Sequence, residues 1–360
     1  MKLADRLRAL IASEGPVDVG RFMALCMAVR DQGYLEQGEM LGARGDFITA
    51  PEISQVFGEL IGLALAAGWQ ALGEPPRIRI GELGPGRGTL LADLWRATAV
   101  LPAFREAVVG VELVEISRRL RARQRETLGH LPIAFHDGIE SLPADLPLFL
   151  VANEFFDALP IRQYVRTDRG WCERLVAVDE EGRFHFTLAP LPLPLGGADA
   201  EPGEVREIAP ARQAVAAGIA ARIAATGGLA CIIDYGAREL RGDTLQAVRR
   251  HRRVDPLDHP GEADLSSHVD FAALARAARR EGAAVFGPVS QGLFLERLGV
   301  RTRLAVLLRD VREERVRRSL VEGVARLVAP QAMGGLFQVL AITAGNAPPP
   351  PGFEEEERWP

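Results

Sequence analysis

Cysteine is scarce in this sequence, and the three cysteines it has lie far apart. Cys26, Cys172 and Cys231 form no C-x-x-C pair anywhere in the 360 residues. This spacing argues against a disulfide framework and against a zinc site, so we predict no bound metal. Cys231 lies inside the apolar run 229–233, which is typical of a buried core thiol.

Long apolar segments are also missing. No stretch approaches the ~18 uninterrupted apolar residues that identify a membrane span. Residues 1–14 carry charges throughout, unlike a signal peptide. We therefore predict no membrane insertion and a cytoplasmic location.

Neither sign of charge dominates the chain. Lys and Arg number 43 and Asp and Glu number 48, which gives a net charge of −5. Without an excess of positive charge, the chain lacks the broad attraction to phosphates that nucleic-acid binding needs. We therefore predict no nucleic-acid partner.

The order of short apolar segments predicts the fold. Residues 1–75 have helical periodicity, and from residue 77 onward short apolar strands alternate with helices. Strands are predicted at 78–83, 108–114, 133–135, 148–152, 229–234, 284–289 and 337–343. Nearly continuous apolar strands are typical of a parallel sheet covered on both faces by helices. The alternation therefore indicates a doubly wound, Rossmann-like α/β fold.

Two segments interrupt this alternation and are predicted to be insertions. Residues 162–226 contain strands spaced like antiparallel hairpins, and residues 236–268 are polar and too long for a simple connection. A single Arg-rich helix is predicted at 301–329. The tail 345–360 has four consecutive prolines and four consecutive glutamates, and we predict that it is disordered. The predicted organisation is an N-terminal helical region at 1–75, then a sheet domain at 76–344 that contains both insertions.

Ligands of doubly wound sheets bind at the carboxyl ends of the strands. The first predicted strand ends in Glu82, and Gly84-x-Gly86-x-Gly88 follows. These glycines let the backbone turn sharply and approach a ligand, although a plain strand-to-helix turn can have the same pattern. A nicotinamide enzyme usually has G-x-G-x-x-G for a pyrophosphate, which the Glu82 carboxylate would repel. A carboxylate suits a cationic sulfonium and ammonium, so the pattern favours S-adenosylmethionine over NAD.

Acids end the next two strands as well. Glu115 can accept both ribose hydroxyl hydrogens of a nucleoside. The alternative is a first-turn helix acid stabilised by the helix dipole. Asp137, which precedes Gly138, suits an adenine amino group, and the alternative is an Asp-Gly turn. The glycine loop and the two acids occur in the order that nucleoside recognition needs.

The segment after the fourth strand carries the predicted acceptor site. It reads Asn153-Glu154-Phe155-Phe156-Asp157-Ala158-Leu159-Pro160, with two carboxylates three residues apart. Such carboxylates can pair with a guanidinium, localise its charge on one nitrogen and free another for in-line attack. The alternative is a helix-start acid followed by a structural turn.

A separate segment has the spacing of a helix start. Thr49 and Glu52 are spaced as a capping box, and Pro51 falls in the first helical turn. Capping alone does not reveal whether this segment contacts a ligand.

Taken together, these motifs resemble the MidA-like family of class I methyltransferases, whose mitochondrial members are protein arginine methyltransferases and respiratory complex I assembly factors. The resemblance runs from about residue 10 to residue 344. Its motifs are Gly45–Ser54, Glu82–Leu90, Leu113–Glu115, Asn153–Pro160, Asp234–Gly236, Gly242–Gln246, Asp264–Phe271 and Gln291–Leu295. It implies a class I methyltransferase sheet with a helical N-terminal region and an inserted α+β cap.

The resemblance also implies an S-adenosylmethionine-dependent enzyme whose product is S-adenosylhomocysteine. A protein arginine is the implied acceptor, and a complex I subunit is the candidate substrate. The family's Asp46–Glu52 loop is expected to fold over the cofactor, and the insertions are expected to build the acceptor cleft. The predicted catalytic residues are Glu154 and Asp157, and the predicted cofactor residues are Thr49, Pro51, Glu82, Gly84, Gly86, Gly88, Glu115, Asp137, Gly138 and Asn153.

The sequence also leaves a second function open and supports expectations about assembly and location. An assembly chaperone that keeps the fold without catalysis is the alternative function. A homodimer is the candidate assembly. Because the chain begins almost directly at the family domain and leaves no room for a mitochondrial presequence, we expect a bacterial, cytoplasmic protein.

Overall fold

The computed structural model describes residues 2–29, 32–36, 49–196 and 200–360. The contacts within the chain divide it into two compact units. As far as their residues are described, the core unit contains 48–156, 213–238 and 269–360, and the insert unit contains 1–47, 157–212 and 239–268. The first 75 residues, predicted as one helical region, are therefore shared between the units.

The helices are α1 (Leu3–Glu14), α2 (Val19–Ala28), α3 (Ala50–Ile53), α4 (Gln55–Ala71), α5 (Thr89–Ala97), α6 (Pro102–Ala107), α7 (Arg118–Leu128), α8 (Pro210–Thr226), α9 (Phe271–Arg280), α10 (Gln291–Arg297), α11 (Val300–Asp310), α12 (Glu314–Val328) and α13 (Met333–Leu336). The strands are β1 (Val17–Asp18), β2 (Ile78–Leu83), β3 (Val108–Val114), β4 (Ile133–His136), β5 (Leu148–Asn153), β6 (Arg162–Thr167), β7 (Gly170–Val178), β8 (Phe184–Leu193), β9 (Val205–Ile208), β10 (Gly228–Ala237), β11 (Gln246–Arg249), β12 (Arg252–Val254), β13 (Asp264–Ser266), β14 (Val269–Asp270), β15 (Ala284–Ser290) and β16 (Phe337–Thr343).

Among the described residues, the core unit has a sheet of eight strands. Its order is β15-β16-β10-β5-β2-β3-β4, and β14 pairs with the end of β10. The strands β2, β3, β4, β5 and β10 are parallel, whereas β16 is antiparallel to both β10 and β15. The chain adds β3 and β4 on one side of β2, and β5 and β10 on the other. The topological switch point therefore lies between β2 and β5, and the predicted doubly wound α/β fold is confirmed.

Burial explains why the positions of these strands could be predicted from the sequence. Every residue of β5 is buried, and so are the first eight residues of β10. Parallel strands covered on both faces have no side that contacts water, so their sequences are almost continuously apolar. Helices α4 and α5 contribute Phe57, Ile61 and Leu94 to the same hydrophobic core. Full burial of one such side chain contributes roughly 1.5–3 kcal/mol to stability.

The described part of the insert unit contains two antiparallel sheets. The first has the order β1-β7-β6-β9, with β8 also paired to β7, and the second has the order β12-β11-β13. The antiparallel hairpin spacing predicted within 162–226 is present, with a turn at Glu180–Gly182: the Asp179 N–H donates to the Arg183 carbonyl over 3.0 Å, and Gly182 has a φ of 79°. The predicted α+β character of the insertions is confirmed.

A buried arginine joins separate stretches of the insert unit. Arg212 is only 2% exposed. Its guanidinium donates to the carbonyl oxygens of Asp157 (2.8 Å), Leu159 (3.2 Å) and His268 (2.6 Å), and to the Ser267 hydroxyl oxygen (2.6 Å). These oxygens satisfy donors that burial has removed from water.

The carboxyl-terminal residues are ordered, so the prediction of a disordered tail was wrong. Phe353 is buried in the core, with its ring centroid 5.5 Å from that of Phe294. The Trp359 N–H donates to the Val285 carbonyl over 2.8 Å. The glutamates that suggested disorder are partly neutralised, since Arg297 pairs with Glu357 at 2.9 Å. A composition rule counts the prolines and glutamates of this segment but gives no weight to two aromatic anchors.

The Arg-rich segment forms two helices instead of one. Between α11 and α12, Val311 is extended, with a φ of −91° and a ψ of 116°. Arg317 of α12 donates to the carbonyl oxygens of Leu308 (2.5 Å) and Val311 (3.0 Å). The second helix therefore satisfies carbonyls left without partners at the end of the first.

No helix in the part of the chain that the structure describes is both long and apolar enough to cross a bilayer. Within the same residues, no cluster of three or more His, Cys, Asp or Glu side chains is placed to hold a metal ion. The cysteines are buried free thiols, and Cys231 belongs to the hydrophobic core as predicted.

Candidate cofactor and acceptor site

The glycine turn leaves β2 at the switch point and leads into α5. Gly84, Gly86 and Gly88 have φ values of 61°, 54° and 80°, in the left-handed region that disfavours other residues. Packing adds a second restriction, because a Cβ on Gly84 would lie 3.0 Å from the Phe155 ring and a Cβ on Gly88 would lie 3.0 Å from the Leu128 side chain. Glycine is therefore favoured at all three positions by conformation, and at Gly84 and Gly88 by space as well.

Glu82 lies next to the end of β2 and is almost fully buried. Burial raises the pKa of its carboxyl to about 8, and a hydrogen bond from the Leu91 backbone opposes this shift. Its Oε2 atom has no hydrogen-bond partner among the described residues. A buried carboxylate oxygen without a partner is costly unless a ligand satisfies it. A cationic ligand fits this requirement.

Glu115 follows β3 directly and is also buried. Its Oε1 accepts the Ser117 N–H over 2.8 Å, and its Oε2 accepts the Gln124 side-chain amide over 3.2 Å. Burial raises the pKa of Glu115, and these hydrogen bonds oppose the shift. The same Gln124 amide donates to the Gly86 carbonyl over 2.7 Å. Gln124, which sequence reasoning missed, thus connects the acid of the second strand to the glycine turn.

Asp137 follows β4 and has a different environment. Its side chain is 89% exposed and pairs with Arg121 at 2.5 Å. Arg121 also donates to the carbonyl oxygens of Glu115 (2.6 Å) and His136 (3.0 Å), so it ties together the ends of β3 and β4. Gly138 is extended, with a φ of −164°. An extended φ is open to any residue, so no conformational demand for glycine exists there.

The end of β5 carries Asn153 and Glu154 beside the switch point. Asn153 is buried, its Nδ2 donates to Glu154 Oε1 over 3.1 Å, and its Oδ1 has no partner in the described part of the chain. Glu154 has a φ of 51°, although it is not glycine. Its N–H donates to the Ile233 carbonyl over 2.9 Å.

Asp234, at the corresponding level of β10, holds the turn that follows Glu154. This fully buried carboxylate accepts the Phe156 N–H over 3.0 Å and the Tyr235 N–H over 2.9 Å. A usable signal was present in the sequence, because an acid inside an otherwise apolar strand must have buried donors. Our prediction assigned Asp234 no role.

The predicted capping box at Thr49 is absent. Thr49 lies at the N-cap position of α3, but its side chain caps no backbone N–H. The Glu52 carboxylate instead accepts Arg87 Nε over 3.1 Å and the Thr89 hydroxyl over 2.6 Å, and its second oxygen pairs with Arg87 Nη2. Glu52 thus binds the glycine turn and the first residue of α5 instead of capping α3. Pro51 lies in the first turn of α3, as predicted.

Asp157 belongs to the insert unit and is buried. Its carbonyl accepts the Ser267 N–H over 3.1 Å and the Arg212 guanidinium over 2.8 Å.

The predicted loop at Asp46–Glu52 is described only from Thr49 onward, and residues 46–48 lie outside the described part of the chain.

The glycine turn and the buried acids Glu82 and Glu115 lie at the ends of β2 and β3, beside the switch point. Residues 60–289 match the family model described as "Putative S-adenosyl-L-methionine-dependent methyltransferase". The chain belongs to this methyltransferase family. The predicted family and enzyme class are therefore confirmed, and the family's cofactor is S-adenosylmethionine, as predicted.

Individual relatives cover most of the chain. It is 36% identical to the mouse "Protein arginine methyltransferase NDUFAF7, mitochondrial" over 92% of this chain and 82% of the relative. Identity to the human protein of that name is 35%, over 92% and 81%. A crystal structure of a related protein from Burkholderia thailandensis, bound to S-adenosyl-homocysteine, has a TM-score of 0.87 at 33% identity and covers 98% of this chain and 94% of that one.

The predicted location needs correction. The curated relatives from mouse, zebrafish and Drosophila melanogaster are mitochondrial proteins. This finding contradicts the expected bacterial, cytoplasmic protein. The start of the sequence was therefore a poor guide to location.

Proposed function

We propose that this methyltransferase modifies an arginine side chain of a protein. The observation that carries the proposal is the similarity to relatives named protein arginine methyltransferase, at 36% and 35% identity over 92% of the chain. The acidic segment at the end of β5 supports it, because an arginine acceptor is a cation.

The proposed cofactor contacts follow from the site chemistry. The Glu82 carboxylate would pair with a cationic group, and the Asn153 side-chain oxygen would accept one of its hydrogens. Glu115 would accept hydrogen bonds from the ribose hydroxyls, and Asp137 and Gly138 would contact the adenine end of the cofactor. Thr49, Pro51 and the glycine turn would provide close backbone contact.

The reaction needs an acceptor nitrogen with an available electron pair. S-adenosylmethionine supplies an electrophilic methyl group and leaves as S-adenosylhomocysteine. A guanidinium is charged at any physiological pH, and its delocalised charge makes each nitrogen a poor nucleophile. We propose that the carboxylates of Glu154 and Asp157 pair with the guanidinium, localise its charge and accept the proton that the methylated nitrogen loses.

The backbone at Glu154 supports a functional role for this residue. A positive φ at a residue other than glycine costs about 1–3 kcal/mol and persists only where the surroundings enforce it. Here the Ile233 carbonyl and the Asp234 carboxylate enforce it on both sides of Glu154. Such strained positions cluster at active sites.

Two substitutions test the acceptor assignment. Glu154→Gln and Asp157→Asn should each reduce arginine methylation by about 100-fold or more, the typical contribution of an acid–base group. Both should still bind S-adenosylhomocysteine in calorimetry. Glu181→Gln, at an exposed turn of the insert unit, is the control and should methylate normally. Normal methylation by the two site variants would refute their roles.

The acceptor itself can be identified with a labelled methyl group. We propose a respiratory complex I subunit as the substrate, following the family resemblance. Extracts from cells with and without the gene should differ in arginine methylation of that subunit by mass spectrometry. If the purified protein binds cofactor but transfers label to no protein, the assembly-chaperone alternative is favoured. The predicted homodimer can be checked by light scattering.

A further inference from the structure

The short helix α3 is attached to both sides of the switch point. Through Glu52 it contacts the glycine turn that follows β2. Through the Ala50 N–H it donates to the Glu154 carboxylate, which follows β5, over 3.1 Å. No other described helix of four residues has this pair of attachments.

The Glu52 carboxylate makes charge-assisted contacts with two turn residues. Both of its oxygens pair with the Arg87 guanidinium, and Oε1 also accepts the Thr89 hydroxyl over 2.6 Å. The Glu52 side chain is mostly buried, with 12% exposure, and Arg87 is 38% exposed. A paired geometry of this kind fixes orientation more strongly than a single contact.

The glycine turn needs such a restraint. Arg87 lies between Gly86 and Gly88, and glycine is the residue type with the greatest backbone freedom. Gly88 is the N-cap of α5 and supplies no side chain to cap it. The Glu52 carboxylate brings a negative charge to the first turn of that helix, where it interacts favourably with the positive end of the helix dipole.

Helix α3 is itself held in place on another face. A Cβ on Gly323 of α12 would lie 3.0 Å from the Ile53 carbonyl oxygen. The Ser54 side chain caps α4 by accepting the Val56 N–H. Glu52 is therefore presented from an anchored segment.

We propose that Glu52 is a positioning residue for the cofactor. Through Arg87 and Thr89 it holds the glycine turn in the conformation that accepts S-adenosylmethionine. The inference rests on the cofactor site of the proposed function, but it is independent of the acceptor. Loss of the Glu52 charge lets the turn sample other conformations, so the cofactor binds to a smaller population of competent molecules.

Calorimetry with S-adenosylhomocysteine tests this role. Glu52→Gln should weaken binding by about tenfold, because one charge-assisted interaction is lost. Arg87→Gln should have a similar effect, and the double variant should be little worse than either single variant, since both remove the same interaction. Hydrogen exchange at residues 86–89 should be faster in all three.

A matched control and a gentler variant keep the test decisive. Glu126→Gln removes an exposed ion pair with Arg123 on α7 and should leave affinity unchanged. Thr89→Val, which deletes one hydrogen bond, should weaken binding by less than Glu52→Gln and covers the case in which that variant does not fold. Affinity within twofold of the parent for Glu52→Gln, or effects of the two singles that simply add, would overturn the proposal. Because only binding is measured, failure to methylate arginine would not affect the result.

Discussion

At the scale of single residues, two glycines with the same backbone conformation lie in different surroundings. Comparing them separates the effect of conformation from the effect of a position in the glycine turn. Gly88 is the N-cap of α5 with a φ of 80°, and Gly299 is the N-cap of α11 with a φ of 84°. A Cβ on Gly88 would meet Leu128, whereas a Cβ on Gly299 would have no atom within 4 Å. The two positions therefore share a backbone conformation but differ in surroundings and role.

This comparison gives a prediction for alanine at each position. Gly88→Ala and Gly299→Ala should each lose about 1–2 kcal/mol of unfolding free energy from the left-handed conformation, with some further loss at Gly88. Only Gly88→Ala should lose affinity for S-adenosylhomocysteine. Urea unfolding and calorimetry on both proteins measure the two effects. Equal affinities would mean that the turn tolerates a side chain at the cofactor site.

Individual residues also show where prediction from sequence stops. Glu82, Glu115 and the glycines could be located because strand ends of a parallel sheet meet at one edge. The partner of Glu52 could not be located in this way. Thr49 has the spacing of a capping partner for Glu52, whereas the actual partner, Arg87, is 35 residues away. Gln124 looked like one more polar residue of a helix. Local spacing carries no information about which distant donor a buried carboxylate selects.

At the scale of elements, strands were read more accurately than helix ends and tails. The predicted bounds of β2, β3 and β16 agree with the structure because most residues of these strands are buried and apolar. The break between α11 and α12 was missed, as amphipathic periodicity continues across it and its cause is a contact from Arg317. The order of the tail was missed because only its composition was considered.

The tail offers an element-scale prediction. Phe353 packs against Phe286 and Phe294 in the core. Phe353→Ala should cost about 3–5 kcal/mol of unfolding free energy through the cavity it leaves. Val100→Ala, at a side chain that is 73% exposed, is the control and should change stability little. Chemical denaturation compares the two, and a loss below about 1 kcal/mol for Phe353→Ala would show that the tail contributes little to the core.

At the scale of the whole molecule, buried carboxyl groups set a pH dependence. Burial raises the pKa of Glu82 to about 8 and that of Asp93 to about 6, and it also raises the pKa of Glu115. A carboxyl whose pKa is higher in the folded state than in the unfolded state binds its proton more tightly when folded. Its contribution to stability is complete below the unfolded pKa, near 4.5 for Glu82, and is lost as the pH rises through about 8.

We therefore expect the ligand-free protein to lose stability between about pH 5 and pH 8. Glu82→Gln should reduce this loss, so the variant should be more stable than the parent at pH 8 and similar to it near pH 4.5. Melting temperatures across this pH range provide the measurement. A parent whose stability rises steadily to pH 8 would contradict the buried, protonated state of Glu82.

Cofactor binding should reverse part of that pH effect. A cationic ligand beside Glu82 favours the charged carboxylate and lowers its pKa, so binding near pH 7 should release a proton. Calorimetry in buffers with different ionisation enthalpies detects such release. Glu82→Gln should bind more weakly and release fewer protons, whereas proton uptake by the parent would contradict the assignment.

The position of β16 has a consequence for how the protein is made. This strand, Phe337–Thr343, lies between β10 and β15, although it follows both of them in the sequence. A nascent chain that has not reached residue 337 has to expose the edges of both neighbours, and unpaired edges readily join other chains. Premature stop codons before Phe337 should yield aggregated fragments instead of a shorter, partly active enzyme.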